Sequence, residues 1–143
     1  MPTKSITARQ YRKPLHANEK AFERYFAQLC ATQGCLYVKI PDIIMTKARL
    51  ALMKQRGYSD EAKKPFDGIL VTPNGNYCIE MKYNYNSLEQ HQADNQSRIN
   101  KINGSFFVIR NRGDFYYLEQ NGKPFDKTNN LLDIINLLIT IGG

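Results

Sequence analysis

The chain has 143 residues, 42% of them hydrophobic, which allows one domain with one core. The net charge of +7 suits a polyanionic partner, nucleic acid above all. No apolar run reaches the ~18 residues of a membrane span, two histidines (His16 and His91) are too few for a Cys/His zinc site, and three cysteines (Cys30, Cys35, Cys78) without a CxxC or a secretory signal point to reduced thiols in the cytoplasm.

Residues 1–14 form a basic arm carrying Lys4, Arg9, Arg12 and Lys13 and no acid. It reads either as a solvated tail or as an arm that orders on a partner. A helix follows over residues 18–31, with Asn18 as N-cap and Phe22, Phe26 and Leu29 at helical spacing. Glu19 lies in its first turn beside that stripe, and Glu23 lies further round, toward the edge. A first-turn Glu can serve the helix dipole or a site, and both readings are open. "CLYVKIP" (35–41) is a strand stopped by Pro41.

A basic insertion spans about 42–64. Ile44, Ala48, Ala51 and Leu52 allow a short helix before Gly57, and Lys47, Arg49, Lys54 and Arg56 make it basic. A solvated connector, a nucleic-acid contact and a membrane-surface helix are the readings, in that order.

"PFDGILVTPNGNYCIEMK" (65–82) is a hairpin, with Asn74-Gly75 as its two-residue turn. That register sets Pro73 against Asn76, Ile69 against Glu80 and Asp67 against Lys82. "SLEQHQADNQSRINKI" is a helix with Leu88, Gln92, Asn95 and Ile99 near one face. "SFFVIRN" and "DFYYLE" are strands joined at Arg112-Gly113, and Gly122-Lys123-Pro124 is a turn. The last helix covers 129–140 before Gly142. Its apolar residues cover more than one face, which leaves surface for a second copy or means burial in its own core. The order α-β-(α)-β-β-α-β-β-α is an α/β (α+β) fold, a mixed sheet flanked by helices, with residues 15–143 as one domain.

Side chains alternate along a strand, so Asp67, Glu80 and Lys82 project from one face of the hairpin. Asp67 and Glu80 are diagonal neighbours there, with Cα atoms roughly 7–8 Å apart. Two carboxylates that lean together suit Mg²⁺, which keeps several waters of its own. Lys82 can reach the same phosphate or a metal-bound water. The alternative is a cross-strand Asp–Lys ion pair on a sheet face. The apolar residues Ile69, Val71 and Cys78 on that face argue against full solvation.

"FDG…IEMK" resembles the core of the PD-(D/E)XK nuclease superfamily, with Asp67 in the first motif and Glu80-Met81-Lys82 as E-x-K. The similarity runs from about Glu19 to Arg110. Within the superfamily the chain is most similar to Holliday-junction resolvases of the archaeal and RecU-like kinds, through "EKAFERYFAQLCATQGCLYVKIP", the His91-Gln92 pair after E-x-K, and "FFVIRNR". Tyr83 stands where family members carry Ser or Thr, the segment from Glu80 to His91 is shorter, and Ala17-Asn18 replace a Gly before the helical Glu. The resemblance implies a restriction-endonuclease-like α-β-β-β-α-β core. It implies a Mg²⁺-dependent DNA endonuclease, with Mn²⁺ able to substitute, acting as a homodimer on branched or junction DNA in recombination and repair. Asp67, Glu80, the Met81 carbonyl and Glu19 would hold the metal, Lys82 would position or activate water, and Gln92 would belong to the catalytic set. Arg9, Arg12, Lys13, Lys47, Arg49, Lys54, Arg110 and Arg112 are the candidate contacts to DNA. Nickases, restriction enzymes and repair nucleases share these motifs. A DNA-binding module without catalysis is the alternative from another class.

Overall fold

The computed structural model describes residues 16–41, 47–56 and 64–141. The basic arm, with Arg9, Arg12 and Lys13, lies outside them, as do Ile44 and Gly57 of the insertion.

Helix α1 is Glu19–Thr32, and the Asn18 side chain accepts a hydrogen bond from the Ala21 N–H at 2.8 Å, as its N-cap assignment requires. Strand β1 (Leu36–Lys39) is followed by the short basic helix α2 (Lys47–Gln55), then β2 (Gly68–Thr72) and β3 (Gly75–Tyr83). Helix α3 (Gln90–Ile102) crosses over to β4 (Phe106–Arg112); β5 (Phe115–Gln120), β6 (Lys123–Thr128) and helix α4 (Leu131–Ile141) complete the chain. All six strands form one sheet in the order β1-β2-β3-β4-β5-β6, antiparallel except at β3–β4. That parallel pair needs a crossover, which α3 supplies. The succession α1-β1-β2-β3-α3-β4 matches the helix-and-strand order expected from the E-x-K resemblance, with α2 as its insertion.

The register of the hairpin differs from the expected one. Thr72 faces Gly75 and Gly68 faces Ile79, so the corner is Pro73-Asn74 rather than Asn74-Gly75. Proline explains the shift. With Pro73 beside an Asn-Gly corner, a ladder position would lack its N–H; at the corner itself, the fixed φ of Pro73 suits the first turn residue. The Thr72 hydroxyl ties the corner, accepting from Asn74 N–H (3.2 Å) and Gly75 N–H (3.0 Å). Asp67 is thereby brought opposite Glu80 instead of Lys82. A two-residue shift leaves every side chain on its own face, so Asp67, Glu80 and Lys82 still share one.

The expected turn at Gly122-Lys123-Pro124 is also displaced. Asn121 (φ 54°) and Gly122 (φ 77°) make the corner, and residues 123–128 form the edge strand β6. Pro124 is tolerated because an edge strand has one unpaired side, and the lysines at 123 and 127 discourage further pairing there.

One sheet face buries Tyr37, Leu70, Ile79, Met81, Ile109 and Leu118 under α1 and α4. The other packs Phe106 and Val108 with Phe66, Leu88 and Ile99, mostly beneath α3. In α4 the buried residues are Leu131, Ile134, Ile135 and Leu138, one stripe at helical spacing, and Leu137 and Ile139 pack against the same core. The chain's own sheet absorbs the apolar surface that had suggested a dimer helix. No helix among the described residues is long and apolar enough to cross a membrane.

Candidate active site

At the end of the β2–β3 hairpin the expected residues come together. Asp67 sits just before β2, and its Oδ2 accepts the Met81 N–H at 2.7 Å. This bond continues the ladder by one rung, with a side chain replacing a main-chain carbonyl. A strand residue directs its N–H and C=O to the same side, so the Met81 carbonyl also faces the Asp67 edge. Asp67 Oδ1 meets Lys64 Nζ at 3.1 Å.

Glu80 is 2% exposed. Its Oε2 accepts from Gln92 Nε2 at 3.0 Å and lies 3.6 Å from Lys82 Nζ. The amide of Gln92 is oriented from its other end, because its Oε1 accepts the Glu89 N–H at 2.9 Å in the first turn of α3. Glu80 Oε1 is buried with no hydrogen-bond donor. Asp67 stands opposite Glu80 across the hairpin, close enough for its charge and hydrogen bonding to raise the Glu80 carboxyl, and two such carboxyls are reconciled by a shared proton or a cation. Burial first, then the charge of Asp67, pushes the Glu80 carboxyl up to about 8, against the pull of Lys82. An orphaned carboxylate oxygen in the interior is costly unless something positive meets it.

Glu19 reaches this group from the start of α1. Its carboxyl is raised by burial and by Asp67, and is drawn back by Lys82 and Lys64. Glu23 faces elsewhere. Its Oε2 accepts from the Tyr37 hydroxyl at 2.6 Å, and its Oε1 pairs with Lys39 at 3.0 Å. The Tyr37 ring crosses directly over Gly68, where a Cβ would lie 2.5 Å from a ring carbon. Glycine after Asp67 is therefore what lets β1 bring Tyr37 to Glu23.

The donor set fits Mg²⁺. Asp67 and Glu80 supply hard oxygens, one of them unsatisfied, the Met81 carbonyl faces the same edge, and Mg²⁺ needs few protein ligands. No three His, Cys, Asp or Glu side chains form a ready-made metal cage among the described residues. Sequence reasoning missed Lys64 and Tyr37. Lys64 was visible only as one of two lysines before "PFD", and nothing local announced Tyr37.

The basic residues divide. Lys47 and Lys54 are exposed on α2, as is Arg49. Arg110 is committed internally: Nε and Nη2 bind Glu119 (2.9 and 3.2 Å), and Nη1 binds the Asn84 and Asn86 carbonyls (2.9 and 2.7 Å). Most of its five N–H donors are thus used within the fold, which assigns it a structural role rather than the expected DNA contact. Arg112 lies between the rings of Tyr85 and Tyr117.

No protein-family profile, no curated protein and no solved structure matches the chain.

Proposed function

We propose that the chain is a Mg²⁺-dependent endonuclease of the PD-(D/E)XK kind that hydrolyses phosphodiester bonds in DNA. The observation that carries this reading is the pair of facing carboxyls, Asp67 and Glu80, with the buried, unpartnered Glu80 oxygen and Lys82 beside it. Perturbed, buried ionisable groups clustered at a strand end are a mark of catalytic sites. The +7 charge and the exposed lysines of α2 suit a nucleic-acid substrate.

Asp67, Glu80 and the Met81 carbonyl would hold the ion, with Glu19 in support. The ion would neutralise charge on the scissile phosphate and lower the pKa of the attacking water. Gln92 fixes the rotamer of Glu80, and the Met81 N–H fixes that of Asp67, so neither carboxylate need reorganise. Lys82, held on the Glu80 side at 11% side-chain exposure, donates from Nζ toward the phosphate oxygens or the water. The substrate class is branched DNA, cut by a homodimer inside the cell, as the resolvase resemblance implies. A two-fold dimer would give a four-way junction its two symmetric cuts.

The test is incubation with a labelled four-way junction, duplex and single strand, in Mg²⁺ and in EDTA. Cleavage that needs Mg²⁺ and disappears in Asp67→Asn supports the reading. DNA bound equally well with and without metal, and never cut, leaves a binding module instead.

A further inference from the structure

On the same sheet face, away from the carboxylates, lies a cleft of about 990 Å³. Tyr85, Arg112, Phe115, Tyr117 and Lys127 line it. The Arg112 guanidinium sits 4.9 Å from the Tyr85 ring centre and 4.5 Å from that of Tyr117, and Lys127 Nζ lies 4.3 Å above Phe115. Two cations and three aromatic rings thus share one concave surface, where Asp114 is the single acid among the described lining residues.

Tyr85 is 77% exposed, yet the loop that carries it is tightly held. Asn84 takes the left-handed φ of 58°, and its N–H binds the Asn111 carbonyl at 2.8 Å. Arg110 grips the carbonyls on both sides of Tyr85, those of Asn84 and Asn86. Asparagine is among the few residues that adopt this left-handed conformation readily, and here the turn presents an aromatic ring to solvent. One ring face rests on Arg112, and the high exposure leaves the other open. Such a ring, prepared but uncovered, is a stacking platform.

The sheet register ties this cleft to the carboxylates. Lys82 pairs with Arg110, Arg110 with Tyr117, and Tyr117 with Lys127, so these residues form one row across the strands. Three strand spacings, about 14 Å, separate Lys82 from Lys127.

We propose that this cleft binds an unpaired segment of single-stranded DNA, with a base stacked on Tyr85 and the backbone phosphates on Lys127 and the edge of Arg112. Aromatic platforms beside cations are the general device for holding single strands without sequence preference. The occupant is a strand rather than a free nucleotide, because Arg112 and Lys127 offer two separate cations beside the ring and the sheet row that starts at Lys127 leads to Lys82 at the carboxylates. The proposal takes its direction from the nuclease reading, since the strand would lead from the cleft to the carboxylates.

The test is fluorescence anisotropy of the full chain in EDTA, where nothing is cut, with a labelled oligothymidylate of about 15 nucleotides and a duplex of equal length. Tyr85→Ala should weaken single-strand binding about tenfold and duplex binding by less than about twofold, while Tyr85→Phe stays within about twofold of the parent. Lys127→Gln should flatten the dependence of log K on log salt by about 0.7 for the single strand. The exposed Tyr85 site makes the melting temperature of Tyr85→Ala a fold control that should not move. Unchanged single-strand binding in Tyr85→Ala, an equal loss on the duplex, or a parent that ignores single strands would each overturn the proposal. A parent that binds single strands through Tyr85 but cuts no DNA in Mg²⁺ would sink the nuclease reading and leave this cleft standing.

Discussion

Glu80→Gln isolates the energetics of the site without needing its reaction. In the absence of divalent metal, the folded chain holds a proton on the Glu80 carboxyl up to about pH 8, whereas the unfolded chain loses it near the ordinary value of 4.5. Between those values the folded state binds more protons than the unfolded state. Stability therefore falls as pH rises, by up to about 1.4 kcal/mol per pH unit. From pH 6 to 8 the parent should lose about 2–3 kcal/mol from this group, or roughly 5–10 °C in Tm for a domain of this size. Glutamine keeps the shape and can still accept from Gln92, but it carries no charge to desolvate. In EDTA the two proteins should melt together near pH 5, and the variant should melt higher at pH 8. Groups remote from the site are common to both, so the difference between the two Tm–pH curves reports Glu80 together with the carboxyls and the lysine that titrate with it. A Mg²⁺ concentration a hundredfold above Kd should then stabilise the parent at pH 8 by about 2.7 kcal/mol and leave the variant where it was. Scanning calorimetry across pH measures all of this. A Tm gap that does not grow between pH 5 and 8 would refute the claim that Glu80 is a strained, cation-seeking carboxylate.

Lys82→Ala should cut turnover by about 10²-fold or more while retaining Mg²⁺ binding, since the proposed mechanism has Lys82 act on water or phosphate rather than on the ion. The loss of its charge should also raise the Glu80 carboxyl further, so Mg²⁺ titrations should need a higher pH in the variant. Gly68→Ala should lower stability by about 1–3 kcal/mol in a denaturant melt, because its Cβ would press into the Tyr37 ring.

What could be read from the chain depended on how locally each feature is determined. Helix α1 was legible because its cap, Asn18, and its stripe, Phe22 and Phe26, are adjacent signals with one interpretation. The shared face of Asp67, Glu80 and Lys82 was legible because it depends only on parity, which the misplaced hairpin corner did not change. The register itself was not, since Asn74-Gly75 is the stronger local turn signal and the missing N–H of Pro73 moves the corner to Pro73-Asn74, where Thr72 ties it. Strand β6 was hidden by its composition: "KPFDKT" has neither alternation nor β-branched residues before its last position, and it forms because β5 provides an edge. Gln92 was found through the His91-Gln92 pair that follows E-x-K, but its bond to Glu80 depends on how α3 docks. The Tyr37–Glu23 contact had no local signal at all, because it joins two elements through the space left by Gly68.

The geometry also separates the two acids of α1, which the sequence could not. Glu19 and Glu23 lie one turn apart and look interchangeable on a helix. In the fold, Glu23 is saturated. It accepts from Tyr37 and pairs with Lys39, and its side chain is 11% exposed. A hydrogen bond to a charged group contributes about 1.5–3 kcal/mol, so Glu23→Gln should destabilise the chain by about 1–3 kcal/mol. Cleavage per folded molecule should be unchanged. Glu19 makes the opposite case: its carboxyl is pushed up by burial and by Asp67 rather than satisfied by them, which groups it with the carboxyls of the proposed site. Glu19→Gln relieves that repulsion, and Tm should hold or rise slightly. Metal-dependent cleavage should fall about 10–100-fold, the usual loss when a supporting group around a metal site is removed. Melting curves and single-turnover cleavage of both variants, at matched folded fraction, decide it. If Glu23→Gln loses cleavage while keeping its Tm, or Glu19→Gln loses Tm while keeping its rate, the assignment of Glu19 to the site is wrong.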